Sequence, residues 1–161
     1  MLNLNLKNMF KAVKDILVVS SDNSYRSQIA EAYLRHFARH RANIYSAGIL
    51  KNGEVHPKIM EVLAEDGLDI SNQTSNQIYE YQNVDFDLIL TVSTEADKNC
   101  PTFSSNPLKF HYNFPALTRT NSSEEELFNE LRETRNMIKT YCEKFLKIHL
   151  YSNSKSFEGY L

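Results

Sequence analysis

Residues 18–27 read Val18-Val19-Ser20-Ser21-Asp22-Asn23-Ser24-Tyr25-Arg26-Ser27. The apolar run at residues 16–19 is short and rich in β-branched side chains, which is typical of a buried parallel strand. A helical pattern begins directly after the polar stretch. A junction of strand, loop and helix directs backbone N–H groups and the positive end of a helix toward one spot. The stretch therefore predicts an anion-binding loop.

Arg26 strengthens this prediction, because its planar and permanently charged guanidinium suits two oxygens of a tetrahedral oxyanion. Asp22 tolerates unusual backbone angles better than most residues, so the loop can keep its shape there. Its carboxylate repels a bound anion unless it points outward. The predicted anion-binding residues are Ser21, Asp22, Asn23, Ser24, Tyr25, Arg26 and Ser27.

The rest of the chain alternates strand and helix patterns. After the loop, one helical face is apolar, with Ile29, Tyr33 and Phe37 in register. Pro57 begins a second helix that Gly67 ends, and Ser123 with Glu126 forms the capping box of a last helix. The further predicted strands are residues 43–46, 86–92 and 108–112.

This alternation predicts an α/β fold in three layers, with a four-stranded parallel sheet and helices on both faces. Ligands of such sheets bind at the carboxyl ends of the strands, near a topological switch point. We predict one domain at residues 15–150, preceded by an extension at residues 1–14 and followed by a loose tail at residues 151–161.

The composition narrows the function classes. The net charge of −2 over 161 residues gives no support to nucleic-acid binding, and no apolar run is long enough to span a membrane. Only two cysteines are present, Cys100 and Cys142, which favours a reducing cytoplasm over a disulfide framework. We predict no metal and no cofactor.

Ser20 and Arg26 have the spacing of a known anion loop, Cys-x5-Arg-Ser. The matching continues through residues 28–31, 45–48, 69–75 and 91–101. Over residues 15–148 the chain resembles the low-molecular-weight protein tyrosine phosphatases and thioredoxin-coupled arsenate reductases. The pair Cys100-Pro101 and the Ser-Glu-Glu-Glu start of the last helix resemble the arsenate reductase branch more closely.

The resemblance implies a cysteine nucleophile where this chain has Ser20. A cysteine thiol at such a loop is ionised at neutral pH because its pKa falls to about 3.5–7.5. A serine hydroxyl is a poor nucleophile unless a base takes its proton, and Asp22, which replaces a family glycine, is the nearest candidate base. We predict an inert, hydrogen-bonding Ser20. Tyr25 replaces a residue that is often cysteine and is predicted to pack or to line the rim.

Two further family features are missing. Ser93 stands where arsenate reductases have their second cysteine, so only Cys100 remains of the redox set. One cysteine cannot run a disulfide cascade within the chain, and Cys100 is predicted to be a partly buried structural thiol. Residues 111–116 lack the aspartate that acts as general acid, a loss of roughly 10²–10⁴-fold; His111 is a conceivable substitute but is predicted to be structural.

Three functions remain open. The first is a pseudoenzyme that binds phosphate, sulfate, an arsenate-like oxyanion or a phosphorylated protein. The second is an active phosphatase or reductase, in which Ser20 is either itself activated or an engineered replacement of the cysteine. Losses at several independent positions favour natural degeneration over engineering. The third is a scaffold in which the loop is a relic and exposed aromatic residues such as Tyr79 and Tyr81 contact a partner.

Overall fold

The computed structural model describes residues 11–50, 54–118 and 123–152. Within them, strands pair in the order β2-β1-β3-β4, and every neighbouring pair is parallel. This confirms the predicted four-stranded parallel sheet. The strands are β1 (Lys14–Ser20), β2 (Ala42–Gly48), β3 (Leu88–Thr91) and β4 (Leu108–His111).

Helices cover both faces of the sheet, which confirms the three-layer architecture. One core packs α1, α2 and α4 against the sheet, and the second core packs α3 and a short 3₁₀ helix against the opposite face. The helices are α1 (Arg26–Ala38), α2 (Pro57–Ala64), the 3₁₀ helix (Ile78–Tyr81), α3 (Thr94–Asn99) and α4 (Glu124–His149).

The position of β1 in the middle of the sheet explains why its sequence is continuously apolar. Ile16 and Val18 belong to the first core, whereas Leu17 and Val19 belong to the second, and all four side chains are fully buried. Successive side chains of a strand point to opposite faces, so a strand covered on both faces needs apolar residues at every position.

The strand order creates the predicted topological switch point. From β1 the chain passes to β2 on one side, and β3 then pairs on the other side of β1. Two neighbouring connections therefore leave the sheet in opposite directions, and a crevice opens at the carboxyl end of β1. The loop of residues 20–25 lies there, directly ahead of α1.

Some predicted element boundaries differ from the structure. The third strand is Leu88–Thr91, shorter than predicted, and Phe86 lies ahead of it. Phe86 is fully buried and packs edge-on against Tyr45 and Phe103. Its apolar character serves the core and not the strand, a distinction that an apolar run alone does not make. Helix α2 ends at Ala64, and Gly67, with φ of 75°, lies in the following turn.

Packing extends slightly beyond both limits of the predicted domain at residues 15–150. On the amino-terminal side, the Lys11 ammonium lies 3.1 Å from a carboxylate oxygen of Asp87. On the carboxyl-terminal side, the Tyr151 hydroxyl donates a hydrogen bond of 2.6 Å to the carbonyl of Phe37.

An ion-pair cluster joins α2 to α4. Glu65, directly after α2, accepts hydrogen bonds of 2.7 Å from both Arg132 and Arg135, and Arg135 also donates to the carbonyl of Val62 at 2.8 Å. Hydrogen bonds from Arg132 and then Arg135 lower the pKa of Glu65 from 4.5 to about 2. The ionised carboxylate is thus favoured in the folded state.

This cluster predicts an acid-dependent loss of stability. A carboxyl group with a lowered folded-state pKa stabilises the protein above its unfolded pKa, and this stabilisation is lost as the pH falls from 4.5 toward about 2. The Glu65→Gln variant should be less stable than the parent at pH 6, and the difference should shrink across that window. Urea unfolding at a series of pH values measures it. Glu143→Gln, which removes an exposed pair with Lys147 on α4, is the control; equal pH profiles for parent and Glu65→Gln would contradict the prediction.

Candidate functional site

The loop after β1 turns at Asn23, which has φ of 56°. This left-handed conformation is tolerated by asparagine better than by most residues other than glycine. We predicted the unusual backbone angles at Asp22, but the left-handed residue is Asn23, one position later.

The Asn23 side chain is fully buried and fixes the loop to three other segments. Its Nδ2 donates to the hydroxyl of Ser27 on α1 at 2.8 Å and to that of Ser46 on β2 at 2.9 Å. Its Oδ1 accepts a hydrogen bond of 2.8 Å from the backbone N–H of Asn76. All these bonds lie in the buried or partly buried interior, so breaking them would leave costly unpaired groups.

Ser20 at the end of β1 is only 1% exposed. Its Oγ lies 2.7 Å from Ser27 Oγ and accepts a hydrogen bond of 3.0 Å from the N–H of Asn23. Among the described residues, no carboxylate or imidazole contacts this hydroxyl. An alcohol without a base to take its proton is a weak nucleophile, so the geometry favours the inert interpretation.

Asp22, the candidate base, is engaged elsewhere. Its Oδ1 accepts hydrogen bonds from the backbone N–H of Ser24 at 3.1 Å and from the Ser24 hydroxyl at 2.8 Å. The carboxylate is therefore held on the loop itself.

Several backbone donors of the loop have no acceptor in the protein. Among the residues that the structure describes, this is true of the N–H groups of Ser21, Asp22, Tyr25 and Arg26. They surround the start of α1, where the helix contributes a partial positive charge. Unpaired N–H groups at the amino-terminal end of a helix favour an anion.

Two side chains of the loop reach the segment after β4. Arg26 Nη1 donates a hydrogen bond of 2.9 Å to the carbonyl of Phe114, and Tyr25 Oη donates one of 2.6 Å to the carbonyl of Pro115. Tyr25 is 7% exposed and therefore packs in the interior. The hydrogen bond to Phe114 orients Arg26 and occupies one of its donor nitrogens.

The structure divides the predicted anion-binding residues into two groups. The side chains of Asn23 and Ser27 are fully buried in the internal network, so they hold the loop together and do not face a ligand. Arg26, the basic residue of the loop, is partly exposed. Ser21 Oγ lies 3.1 Å from Ser93 Oγ and links the loop to the end of β3.

Ser93 and Cys100 lie at the two ends of α3. Ser93 caps α3, accepting a hydrogen bond of 3.1 Å from the N–H of Ala96. Burial raises the pKa of the Cys100 thiol, and the opposing influence of Lys109 is smaller. A reactive cysteine needs the opposite shift, so Cys100 has the character of a structural thiol.

His111 lies at the end of β4 and is held by its neighbour on β3. Its Nδ1 is 2.9 Å from Thr91 Oγ1 and 3.8 Å from an oxygen of Asp97. These contacts orient the ring, and they agree with a structural role.

Gly48 and Gln28 are important to the site, and no role was predicted for either of them. Gly48 packs so closely on the loop that an added Cβ would lie 2.7 Å from the carbonyl carbon of Asp22. Gln28, fully buried on α1, donates to the carbonyls of Asn23 at 3.0 Å and Thr74 at 2.9 Å. Both residues lie within the matched segments, which was the only signal available for them.

Tyr79 and Tyr81, the proposed partner surface, differ in exposure. The Tyr79 side chain is 60% exposed. The Tyr81 ring packs edge-on against Tyr45 and Phe86, with centroids 5.4 and 6.3 Å apart. Of this pair, Tyr79 is the one that presents a largely solvent-facing ring.

The described residues contain no cluster of three or more His, Cys, Asp or Glu side chains suited to a metal ion. None of the described helices combines the length and apolar character that crossing a bilayer requires.

Fold and loop together define a class: α/β proteins with a loop that joins the carboxyl end of the first strand to the first helix, here with serine as the last residue of that strand. The sequence profile of the low-molecular-weight phosphotyrosine protein phosphatases matches residues 15–155. The chain belongs to this family.

Relatives include an arsenate reductase of Staphylococcus aureus, 35% identical over 132 residues, which cover 82% of this chain and 95% of the relative. Arsenate reductase 2 of Staphylococcus epidermidis is 36% identical over the same coverage. Among solved structures, an arsenate reductase in the phosphate-binding state has a TM-score of 0.69 at 22% identity, covering 84% of this chain and 98% of that chain. A YwlE arginine phosphatase mutant with a phosphorylated active-site serine has a TM-score of 0.63 at 22% identity, covering 85% and 98%.

The close contact at Gly48 predicts that its replacement distorts the loop. In Gly48→Ala the new methyl group would meet backbone atoms of Asp22 and Asn23 at 2.7–3.0 Å, and backbone cannot move aside as a flexible side chain can. We expect a loss of unfolding free energy of roughly 1–3 kcal/mol, measured by urea denaturation.

The matched control is Gly67→Ala. Gly67 also has a special role, with φ of 75°, but no atom lies within 4 Å of an added Cβ. The Gly67→Ala variant should lose stability through backbone strain alone, and its loop at residues 20–27 should be unchanged. Loop perturbation is read from the amide NMR shifts of residues 20–27; unchanged shifts in Gly48→Ala would contradict the prediction.

Proposed function

We propose that this chain is a catalytically impaired member of its family that binds phosphate-like oxyanions in the loop of residues 20–27. The observation that carries the proposal is the contrast within that loop. Its N–H groups and Arg26 form an anion-binding surface, while Ser20 Oγ is bonded to Ser27 and Asn23.

Unpaired donors support the binding half of the proposal. A buried or half-buried backbone N–H without an acceptor costs free energy. Four such groups lie at or just before the start of α1, in the same segment as Arg26. A tetrahedral oxyanion satisfies several of them at once and gains from the helix terminus. The phosphate of a phosphorylated protein offers the same oxygens.

Two similar structures are in keeping with this proposal. One is an arsenate reductase in a phosphate-binding state, and the other carries a phosphoryl group on an active-site serine. In those proteins the site accepts a tetrahedral phosphorus group. We extend the binding of a phosphate group, but not catalysis, to this chain.

The catalytic half of the family chemistry lacks its reacting groups here. Ser20 has no base among the described residues, and Cys100 has a raised pKa and no redox partner in the loop. Residues 111–116 contain no carboxylic acid. The reducing cytoplasm remains our proposed location, because both cysteines are free thiols.

Anion binding should stabilise the folded protein. A ligand that binds only the folded state adds about 2.7 kcal/mol at a concentration of 100 times its Kd. Millimolar phosphate should therefore raise the melting temperature relative to chloride at equal ionic strength. Arg26→Ala should lose most of this increase, whereas Lys144→Ala, which removes an exposed positive charge from α4, should keep it. No phosphate effect on the parent protein would refute the binding proposal.

Turnover should be absent until the nucleophile is restored. The parent protein should release no phosphate from an aryl phosphate, and Ser20→Cys should release it slowly, because the loop regains a thiolate but still lacks a general acid. Phosphate release is measured at pH 6 with matched protein concentrations. Release by the parent that disappears in Ser20→Ala would establish Ser20 as a nucleophile and overturn the pseudoenzyme proposal.

A further inference from the structure

Strand β4 forms one edge of the sheet. In the order β2-β1-β3-β4 it pairs with β3 and, among the strands that the structure describes, with no other. The N–H of Tyr112, directly after β4, donates a hydrogen bond of 3.0 Å to the carbonyl of Thr91 on β3. Because the N–H groups of successive residues alternate between the two sides of a strand, those of Lys109 and His111 point away from β3. Such an edge is a template for the backbone of another extended segment.

One face of β4 is apolar and packs beside α4. Side chains alternate between the two faces of a strand, so Leu108, Phe110 and Tyr112 share this face. The ring centroid of Phe110 lies 5.3 Å from that of Phe145, and the ring centroid of Tyr112 lies 4.7 Å from that of Tyr141. Leu108 is nevertheless 64% exposed and Tyr112 is 48% exposed. The helix therefore covers this face only in part.

The apolar surface continues onto α4. Met137 and Ile148 are exposed, and with Tyr141 and Lys144 they recur at spacings of four and three residues, which places them on one face of the helix. A cavity of about 510 Å³ lies where this face meets Tyr112. It is lined by Tyr112, Asn136, Met137, Thr140, Tyr141 and Lys144. Exposed apolar side chains that cluster in this way mark an interaction site.

The opposite face of β4 is basic. Lys109 is exposed, and its ammonium donates a hydrogen bond of 3.3 Å to the carbonyl of Pro101. His111 is also exposed, with Nδ1 3.8 Å from an oxygen of Asp97. From residue 108 to residue 112 the strand therefore presents apolar and basic side chains in strict alternation. A complementary strand has apolar residues on one face and acidic residues on the other.

A second copy of this chain fits this edge poorly. If two β4 strands pair antiparallel about Lys109, Phe110 or His111, two of these basic side chains lie opposite each other. Like charges directly opposite each other destabilise a strand pair, and lysine on an edge strand opposes such self-pairing. The charges of the edge instead favour a different chain with acidic side chains at these positions.

We propose that the edge of β4 docks an extended segment of a partner protein as a fifth strand, with acidic residues opposite Lys109 and His111 and apolar residues beside Leu108 and Tyr112. The backbone of β4 binds the backbone of the segment, and side chains at alternate positions supply the specificity. Strand β3 separates this edge from β1 and its loop. The docking site is therefore independent of the proposed anion site.

The test uses two synthetic peptides of about nine residues, the length of an ordinary strand. Valine alternates with glutamate in the first and with lysine in the second. Binding to the full chain is followed by amide NMR shifts. The glutamate peptide should shift the signals of Lys109 and His111 and should bind at least about tenfold more tightly than the lysine peptide. Methylation of the peptide nitrogens that face β4 should weaken its binding, because it removes hydrogen bonds between the strands.

Reversal of the charge at Lys109 tests the contact directly. Lys109→Glu should bind the lysine peptide more tightly than the glutamate peptide. The matched control is Arg39→Glu, which makes the same change of charge at an exposed position near β2, the opposite edge strand, and should keep the preference of the parent. Melting temperatures establish that each variant is folded. Lys109→Gln, which should lose the preference without reversing it, replaces Lys109→Glu if the latter does not fold.

Four results would each overturn the proposal. These are no binding of the glutamate peptide, equal affinity for the two peptides, shifts that leave residues 108–112 unaffected, and a preference that survives the change at Lys109. Self-association of the parent, measured by analytical ultracentrifugation and accompanied by concentration-dependent shifts at residues 108–112, would assign the edge to a second copy of the chain and would also refute the proposal.

Discussion

The hydrogen bonds of the Asn23 side chain are the constraint on which the site depends. One amide group, fully buried, joins β1's loop to Ser27 on α1, to Ser46 on β2 and to the backbone of Asn76. It does so from a left-handed residue that reverses the course of the loop. The course of the loop that we propose to bind anions therefore depends on the fixation of a single residue. The network continues inward, where Ser46 donates to the buried carboxylate of Glu31.

Parallel strand pairing determines what lies beneath that loop. The register of β1 and β2 sets Ser20 opposite Gly48, so the chain leaving β1 crosses the last residue of β2. With the Asp22 carbonyl carbon 2.7 Å from the position of a Cβ, only glycine leaves room. The packing of the sheet and the shape of the loop therefore depend on each other. A change in the register would move a side chain into the space that the loop occupies.

The fold was predictable to the extent that it is encoded locally. Periodicity, the capping box at Ser123 and the run at residues 16–19 each identify an element from its own sequence, and all of these were confirmed. The loop could also be recognised from its position between a strand and a helix. The contacts within the site could not be predicted, because they join distant residues: Asn23 and Asn76 are 53 positions apart, and Arg26 and Phe114 are 88 apart. No local pattern distinguishes an asparagine that binds an anion from one that holds a loop together.

The shape of this loop and its chemistry are physically separable. The shape depends on Asn23, Ser27 and Gly48, all present, and Ser20 Oγ accepts the Asn23 N–H at 3.0 Å as a member of the same network. The chemistry of the family depends on a thiolate at that position, whose negative charge the loop stabilises. Serine keeps the hydrogen bond and removes the charge. Asp22 adds a carboxylate two positions later, and this carboxylate accepts a hydrogen bond from the N–H of Ser24. The loop thus retains a negative charge, but Ser24 holds this charge on the loop itself and not at Ser20.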